Sequence, residues 1–168
     1  MYLGDTGKIF TTGFSRYNDR EYCVWSQHDL SNPLERESID SSSGVLCPFY
    51  DHDTRIIYLA GKGDGNVRYK SQNNYSIRKC KAQLTGSVFW SNSSFAFDLF
   101  FRYYEVADDE ETPHVFYLSQ FISGAPQRGF GVLPKRGCDT AQCEIFRFYK
   151  LHATRDLVEP ISMVCDYH

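Results

Sequence analysis

The sequence predicts an all-β fold made of a few β-propeller blades. Aromatic residues make up 16% of the 168 residues, which favours strands over helices. Short strands follow one another between turn signals without a helical period. Two similar aromatic frames, around Tyr104 and Tyr149, lie 45 residues apart. A period of about 40–45 residues, with an aromatic residue near the end of a strand, is typical of WD40 blades.

A 34-residue segment, from Tyr69 to Arg102, interrupts this period. A third frame around Trp25 lies 79 residues before Tyr104, and this spacing also becomes 45 when the segment is left out. The segment breaks a strand just after a hairpin turn, and an Arg-Tyr pair stands at each of its borders. Joining Arg68 directly to Tyr103 restores one continuous strand. We therefore interpret residues 69–102 as an insertion foreign to the blade, and we expect them to form a poorly packed loop.

Two origins are open for this segment. It is a translated retained intron if the Arg-Tyr border is encoded by a splice-donor-like sequence and Phe-Phe-Arg, at residues 100–102, by a pyrimidine tract with an acceptor-like end. Removal of the 34 codons would keep the reading frame. The alternative is a genuine surface insertion. The gene sequence across Arg68 distinguishes the two.

The first part of the chain predicts five strands, separated by turns rich in Gly, Pro, Asn, Asp and Ser. They run from Lys8 to Ser15, Glu21 to Gln27, Leu34 to Asp40, Val45 to Tyr50 and Arg55 to Gly61. A polar turn, Arg16 to Arg20, separates the first two.

The second part of the chain predicts one interrupted strand and three further strands. Val67 and Arg68 begin a strand that resumes at Tyr103 to Val106 and pairs beside Ile56 to Gly61. After an acidic loop, Asp108 to Glu111, the others run from Val115 to Ile122, Phe130 to Leu133 and Glu144 to Leu151. Three antiparallel sheets result, with centres near Trp25, Tyr58 and Phe148.

The composition excludes several classes of protein. The net charge of −3 gives no argument for binding nucleic acid. The N-terminus lacks the basic and apolar regions of a secretory signal, and no stretch reaches the roughly 18 apolar residues of a membrane-spanning helix. Without a secretory signal, six cysteines predict reduced thiols rather than a disulfide framework.

Two turn-like motifs have a chemical alternative. Gly61-Lys62-Gly63-Asp64-Gly65 could cradle a phosphate, but a strand rather than a helix follows it, so we interpret it as a turn. Asp51-His52-Asp53 offers metal-type ligands. Three consecutive residues rarely converge on one ion, so we interpret it as a turn in which Asp caps backbone N–H groups.

The remaining reactive residues do not form a catalytic motif. Cys138 and Cys143 are a pair without the second pair that a zinc site needs, so we expect free thiols. The five histidines fall in predicted loops or at the terminus, and no Ser/His/Asp or Cys/His arrangement is present. The sequence therefore predicts no enzyme, no catalytic residue, no metal site and no cofactor.

Six sequence blocks, in order and at matching spacing, resemble the coronin family. They are Phe10–Arg16, Ser42–Leu46, Tyr58–Asp64, Gln127–Gly129, Pro134–Gly137 and Cys143–Leu151. The resemblance covers residues 4–68 and 103–163. It leaves out 69–102 and the last five residues, 164–168, where the family continues differently.

Coronins are cytoplasmic, actin-filament-binding propeller proteins. The resemblance implies an incomplete coronin-like propeller over residues 4–163, about three blades of a seven-bladed parent and from its C-terminal part. It implies F-actin as the partner, a place on the cytoskeleton, a role in actin organisation, cell motility and trafficking, and neither nucleic acid nor membrane insertion. The short and the tandem-propeller branches of the family both remain possible, and the chain is expected to be a fragment or an aberrant isoform. A non-actin scaffold built on a WD40 propeller is the alternative function.

Three basic residues near predicted blade turns are candidate actin contacts: Arg128, Lys135 and Arg136. Actin filaments are acidic, so basic loops are complementary to them in charge. The alternative for each is an ordinary solvated charge. The actin-contacting arginine of the family's first blade and its oligomerising coiled coil have no counterpart in these 168 residues, so we expect weak filament binding.

Overall fold

The computed structural model describes residues 1–62, 80–84, 99–106, 114–123 and 127–165. Within these ranges the regular elements are strands, apart from three single 3₁₀ turns at Gly4–Thr6, Lys135–Gly137 and Thr140–Gln142. The strands are β1 (Lys8–Phe14), β2 (Arg20–Ser26), β3 (Glu35–Asp40), β4 (Leu46–Asp51), β5 (Ile56–Lys62), β6 (Cys80–Leu84), β7 (Leu99–Val106), β8 (Val115–Ser123), β9 (Gln127–Val132), β10 (Glu144–His152) and β11 (Val158–Cys165). The all-β prediction is confirmed.

These strands form three antiparallel sheets. The first sheet has the order β1-β2-β3, the second β4-β5-β7-β8 and the third β6-β11-β10-β9. Trp25 lies on β2, Tyr58 on β5 and Phe148 on β10, and each of these is an inner strand of its sheet. The predicted centres of the three sheets are therefore confirmed.

The chain divides into two compact units, of which the first comprises Met1–Asp64 and Phe100–Gln120 and holds the first sheet and most of the second. Ile56 to Ala60 on β5 are all buried, so this apolar strand is covered on both faces. The core of this unit is Leu3, Phe10, Tyr22, Val24, Leu46, Ile57, Leu59, Tyr104, Val106 and Val115.

The second unit comprises Gly65–Leu99 and Phe121–His168 and holds the third sheet. Every second residue of β10 is buried, as expected for a strand with one covered face. On that face Phe148 lies opposite Ile161 of β11, and neither side chain is exposed.

Two strands were absent from the sequence-based prediction. β11 contains Pro160, which interrupts a strand pattern because proline cannot donate to the ladder. It nevertheless lies opposite Tyr149 in the pairing with β10. β6 falls in the segment interpreted as foreign. Its apolar and polar residues alternate, which is the signal that could have identified it.

The expectation of a loop over residues 69–102 is wrong for part of that segment. Cys80–Leu84 forms β6, and residues 99–102 are the beginning of β7. Residues 69–79 and 85–98 lie outside the described residues, as does the predicted acidic loop 108–111. The pairing of β7 beside β5 is confirmed, and the Val106 N–H donates to the Arg55 carbonyl at 3.0 Å.

The prediction that all six cysteines are reduced is also wrong. Cys165 is disulfide-bonded, and in the pairing of β11 with β6 it lies opposite Cys80. The prediction relied on the absence of a secretory signal. That argument takes no account of which cysteines become neighbours in a sheet. Among the residues that the structure describes, no helix has the length and apolar character needed to cross a bilayer.

Candidate partner-binding surface

Arg128 lies on β9, an edge strand of the third sheet, and is exposed. Leu151 and His152, adjacent on β10, face Gly129 and Gln127, so Arg128 is the extra residue of a β-bulge. A bulge changes the direction of side chains and is common at sheet edges and near functional sites. The strand was predicted to begin only at Phe130, so the sequence did not indicate this bulge.

Lys135 and Arg136 form the 3₁₀ turn that follows Pro134, closed by a hydrogen bond from the Gly137 N–H to the Pro134 carbonyl at 2.8 Å. Arg136 is exposed, whereas Lys135 is half-buried. The Lys135 Nζ lies 6.0 Å from the centre of the Phe146 ring, close enough for a cation–π attraction. Arg136 is therefore the more accessible charge of the two.

The structure does not bring the three basic candidates together in one cluster. Arg128 lies near the start of β9, and Lys135 lies beyond its end. The four residues from Arg128 to Val132 alone extend about 13 Å at 3.3 Å per residue, and Lys135 lies in the turn beyond them. Arg128 and Lys135 are two separate basic positions on the second unit, and a shared partner would have to be extended or large.

A buried carboxylate holds the loop that carries Arg136. The backbone N–H of Asp139 donates to Glu144 Oε2 at 2.7 Å, and Arg147 Nε and Nη2 each approach the same carboxylate at 2.6 Å. Burial opposes ionisation of Glu144. Its hydrogen bonds, above all those from Arg147, outweigh this effect and lower its pKa. Residues 134–143 are thereby anchored to β10.

The Asp51-His52-Asp53 motif is a turn, as predicted. Asp51 is buried, its Oδ1 accepts the Asp53 N–H at 3.3 Å, and its Oδ2 accepts the Thr54 hydroxyl at 2.6 Å. Within the described ranges, no three or more His, Cys, Asp or Glu side chains are grouped for a metal ion.

Two further motifs were singled out from the sequence, the cysteine pair and the glycine-rich segment. Cys138 and Cys143 carry thiols and form no disulfide. Cys143, with a φ of 56°, ends the 3₁₀ turn Thr140–Gln142. Gly61 is the next to last residue of β5 and lies against the Arg20 guanidinium, where an added Cβ would come within 2.8 Å of Arg20 Nη1. Residues 63–65 of the glycine-rich motif lie outside the described residues.

Sequence reasoning missed an ion-pair network in the first unit. Arg20, assigned to a polar turn, begins β2 and is 3% exposed. Its Nε and Nη2 contact the two carboxylate oxygens of Asp40 at 2.6 and 2.7 Å. Arg102 Nη2 lies 3.6 Å from Asp40, and Arg102 Nη1 donates to the Ile39 carbonyl at 2.9 Å. Burial opposes ionisation of Asp40, but its contacts with Arg20 prevail and lower its pKa.

Tyr22 is the centre of a second network of contacts that the sequence did not indicate. Its ring stacks on Phe10 at 5.2 Å and meets the edge of Tyr104 at 5.6 Å. Its hydroxyl lies 2.8 Å from Glu35 Oε1 and 2.7 Å from Glu37 Oε2. Burial, with these two carboxylates, raises the pKa of Tyr22. Burial likewise raises the pKa of Tyr104 to about 12. Both networks join strands to one another, and neither resembles a catalytic site.

Similarity to known proteins identifies the kind of molecule that carries these features. The sequence is 44% identical to human Coronin-2A over 164 residues, a match that covers 98% of this chain and 24% of that protein. Against Coronin-2B of Xenopus tropicalis the identity is 43% over 164 residues, covering 98% of this chain and 27% of that protein. This is a coronin-type WD40 protein. It spans about a quarter of the length of the curated relatives that it matches, and no protein-family model matches it.

The fold of this coronin-type chain is also found in a solved structure. It matches the crystal structure of the WD40 domain from Toxoplasma gondii coronin with a TM-score of 0.67 and 24% identity. The match covers 96% of this chain and 31% of that domain. At this identity the likeness is one of fold, and it confirms the prediction of a partial WD40 propeller.

Proposed function

We propose that this coronin-type protein binds actin filaments and thereby regulates actin organisation, cell motility and trafficking in the cytoplasm. The observation that carries the proposal is the 44% identity to Coronin-2A over almost the whole chain. A propeller fold alone would not identify a partner, because propellers bind many ligands. The protein acts by binding, without a cofactor and without catalysis.

We further propose that residues 4–163 are an incomplete coronin propeller interrupted by residues 69–102, and that 164–168 are a tail foreign to the family. The spacing of the aromatic frames and the Arg-Tyr pair at each border of the segment support this division. Sequencing the gene across Arg68 tests the origin of the segment. An uninterrupted exon would exclude a retained intron and leave a genuine insertion.

Arg136 and Arg128 are the proposed filament contacts of the second unit, and Lys135 contributes less. The two arginines are exposed, whereas Lys135 is half-buried beside Phe146. Salt screens the attraction between exposed charges, which is largely lost beyond roughly 8 Å at physiological ionic strength. Filament binding through these positions should therefore weaken as the salt concentration rises.

Co-sedimentation of the 168-residue chain with actin filaments over a salt series tests the proposal. We expect binding at low salt that falls as salt increases and is reduced by Arg136→Ala and by Arg128→Ala. Arg16→Ala is the matched control, because Arg16 is an exposed arginine of the first unit.

Two results would contradict this assignment. Salt-insensitive binding that survives both arginine changes would show that the filament contacts lie elsewhere on the chain. No sedimentation at any salt concentration, from a chain shown to be folded by circular dichroism, would favour a scaffold for a partner other than actin.

A further inference from the structure

Three cysteines follow one another across one end of the third sheet. Cys165 is the last residue of β11 and is disulfide-bonded. On one side it lies opposite Cys80, the first residue of β6. On the other side the pairing of β11 with the β10 segment extends as far as Cys143, whose carbonyl accepts the Cys165 N–H at 3.1 Å. Cys165 therefore has a cysteine neighbour in each direction across the sheet.

Cys143 is close enough to Cys165 for a bond between the two. Opposite residues joined by hydrogen bonds in an antiparallel pair have Cα atoms about 5.5 Å apart. A disulfide spans Cα separations of about 4.4–6.8 Å, so this spacing suits one. Cys143 carries a thiol and is half-buried. The fold thus places a free thiol beside an existing disulfide.

The backbone of Cys143 has a conformation that usually selects glycine. Its φ is 56°, in the left-handed region, where the 3₁₀ turn Thr140–Gln142 ends. Residues other than glycine are uncommon in this region, and glycine is the usual residue where a helical turn ends in this way. The Cys143 N–H donates to the Thr140 carbonyl at 3.1 Å, and its carbonyl accepts from Cys165. Both bonds hold Cys143 in place, and backbone geometry does not explain why a cysteine stands there.

Burial shields the disulfide from thiols in solution but not from Cys143. Cys165 is 9% exposed. Exchange requires a thiolate to attack a disulfide sulfur, so its rate depends on access to that sulfur. An external thiol reaches Cys165 poorly, whereas Cys143 is its neighbour in the sheet. An attack from within the chain is therefore favoured.

We propose that the disulfide of Cys165 is exchangeable and that Cys143 is its internal nucleophile. The Cys143 thiolate attacks the Cys165 sulfur, a Cys143–Cys165 bond forms, and the original bond of Cys165 breaks. The sulfur that leaves takes up the proton that the Cys143 thiol gave up, so no oxidant or reductant is consumed. The new bond joins β11 to the loop 134–143, which carries Arg136.

Such an exchange suits a redox-sensing role. Disulfides in reducing compartments are usually transient and catalytic or redox-sensing. That part of the inference rests on the cytoplasmic role proposed above, because an exchangeable bond in the cytoplasm would respond to the thiol balance. The exchange itself takes place within the second unit and does not depend on actin binding.

Disulfide mapping of the 168-residue chain is the first test. The chain is purified without reductant, incubated over a pH series, quenched in acid and digested with pepsin, and linked peptides are identified by mass spectrometry. We expect a link between Cys143 and Cys165 that forms faster as the pH rises, because the thiolate is the attacking form. Cys143→Ser should abolish this link. Cys138→Ser, which alters the other thiol of the same loop, should leave it unchanged.

Two results of this mapping would overturn the proposal. One is a chain in which Cys165 is a thiol after purification without reductant. The other is a folded chain in which the original bond of Cys165 persists over the whole pH series and no link to Cys143 forms. Neither result bears on actin, so the proposed function would stand or fall separately.

Cys80→Ser tests the reach of Cys143 directly, because it removes the cysteine opposite Cys165 on β6. In a buffer of reduced and oxidised glutathione, the variant should close the Cys143–Cys165 bond. With Cys143→Ser added, no bond from Cys165 to Cys138 should replace it. A Cys80→Ser chain shown to be folded by circular dichroism, in which Cys165 stays a thiol or bonds another cysteine, would contradict the proposal. If that variant does not fold, the map of the unaltered chain decides.

Discussion

One lysine of the second unit is buried beside a carboxylate. Lys150 on β10 is 0% exposed, and its Nζ lies 3.5 Å from Glu159 on β11. The same carboxylate lies 3.1 Å from His152 Nε2. A buried ion pair contributes little net stability, but removal of one partner leaves a charge without compensation. Glu159 is therefore more important than a typical surface carboxylate.

Glu159→Gln should destabilise the second unit by roughly 3 kcal/mol, the low end of the cost of breaking a buried ion pair. The free energy of unfolding in urea measures the effect. Asp156→Asn is the matched control, since Asp156 is an exposed carboxylate in the same β10–β11 hairpin. Equal effects of the two changes would mean that Lys150 does not rely on Glu159.

Glu37→Gln should stabilise the first unit by about 0.5–1.5 kcal/mol, the usual net value of a hydrogen bond. The Tyr22 hydroxyl has one proton but lies near two carboxylates, so one of these contacts lacks a hydrogen. An amide at position 37 could donate to the Tyr22 oxygen. Glu35→Gln should gain less, because Glu35 also accepts the His114 N–H at 2.6 Å. Urea unfolding of both variants checks this order, and a loss of stability in Glu37→Gln would contradict it.

Asp40 should make the first unit sensitive to acid. Its pKa is lowered in the folded chain, because contacts with Arg20 outweigh the effect of burial. The stabilisation is therefore complete above the ordinary aspartate value of about 3.9 and is lost as the pH falls through the lowered folded value. Unfolding free energies measured against pH should fall less steeply in acid for Asp40→Asn than for the unaltered chain. Asp19→Asn, in the turn before β2, serves as the control, and parallel curves for Asp40→Asn and the unaltered chain would exclude this role.

At the scale of elements, β7 shows how the chain tolerates a long interruption. Arg102 stands directly before Tyr103 and contacts Asp40 and the Ile39 carbonyl. Deletion of residues 69–102 would put Arg68 in that same position of the sequence. The duplicated border therefore supplies the same side chain to β7 with or without the segment.

A chain that lacks residues 69–102 should keep this contact through Arg68. We expect Arg68→Ala in the shortened chain to lower the free energy of unfolding by the same amount as Arg102→Ala in the full chain. Both measurements use urea unfolding followed by fluorescence, with Trp90→Phe in the full chain so that Trp25 of the first unit is the reporting tryptophan in both. If Arg102→Ala destabilises the full chain but Arg68→Ala leaves the shortened chain unaffected, the two arginines are not equivalent.

The elements also show where sequence reasoning succeeds. Strands with strong alternation or a continuous apolar run, such as β5 and β10, were predicted nearly to their ends. β11 was missed because Pro160 obscures its pattern, and β6 because a local alternation of five residues does not reveal a partner 70 residues away. The candidate arginines could be named from charge, but the bulge at Arg128 and the Lys135–Phe146 contact depend on tertiary neighbours.

At the scale of the whole molecule, the described residues form three sheets, and the chain matches 31% of the WD40 domain from Toxoplasma gondii coronin. The chain would therefore contain only part of any binding surface that several blades form together. Oligomerisation adds avidity worth about 10²–10⁴ in apparent affinity, and the 168-residue polypeptide offers no coiled coil among its described residues. The isolated chain should accordingly bind filaments weakly.

Fusion of the chain to a trimeric coiled coil tests this reasoning. We expect the fusion to co-sediment with filaments at a concentration at least about 10²-fold lower than the single chain. A fusion that carries Arg128→Ala and Arg136→Ala is the control and should lose most of this gain. If the trimeric fusion binds filaments no better than the single chain, the single chain makes no filament contact that oligomerisation could strengthen.

The pairing of β6 with β11 has a consequence for the solubility of this protein. Ile-Ser-Met-Val-Cys, residues 161–165, is a short uncharged stretch without proline or glycine, the composition from which cross-β aggregates form. While β6 lies along it, this stretch cannot recruit identical copies from other molecules. Loss of β6 from the folded chain, for example by proteolysis within residues 80–84, should therefore leave this stretch open to pairing with copies from other molecules.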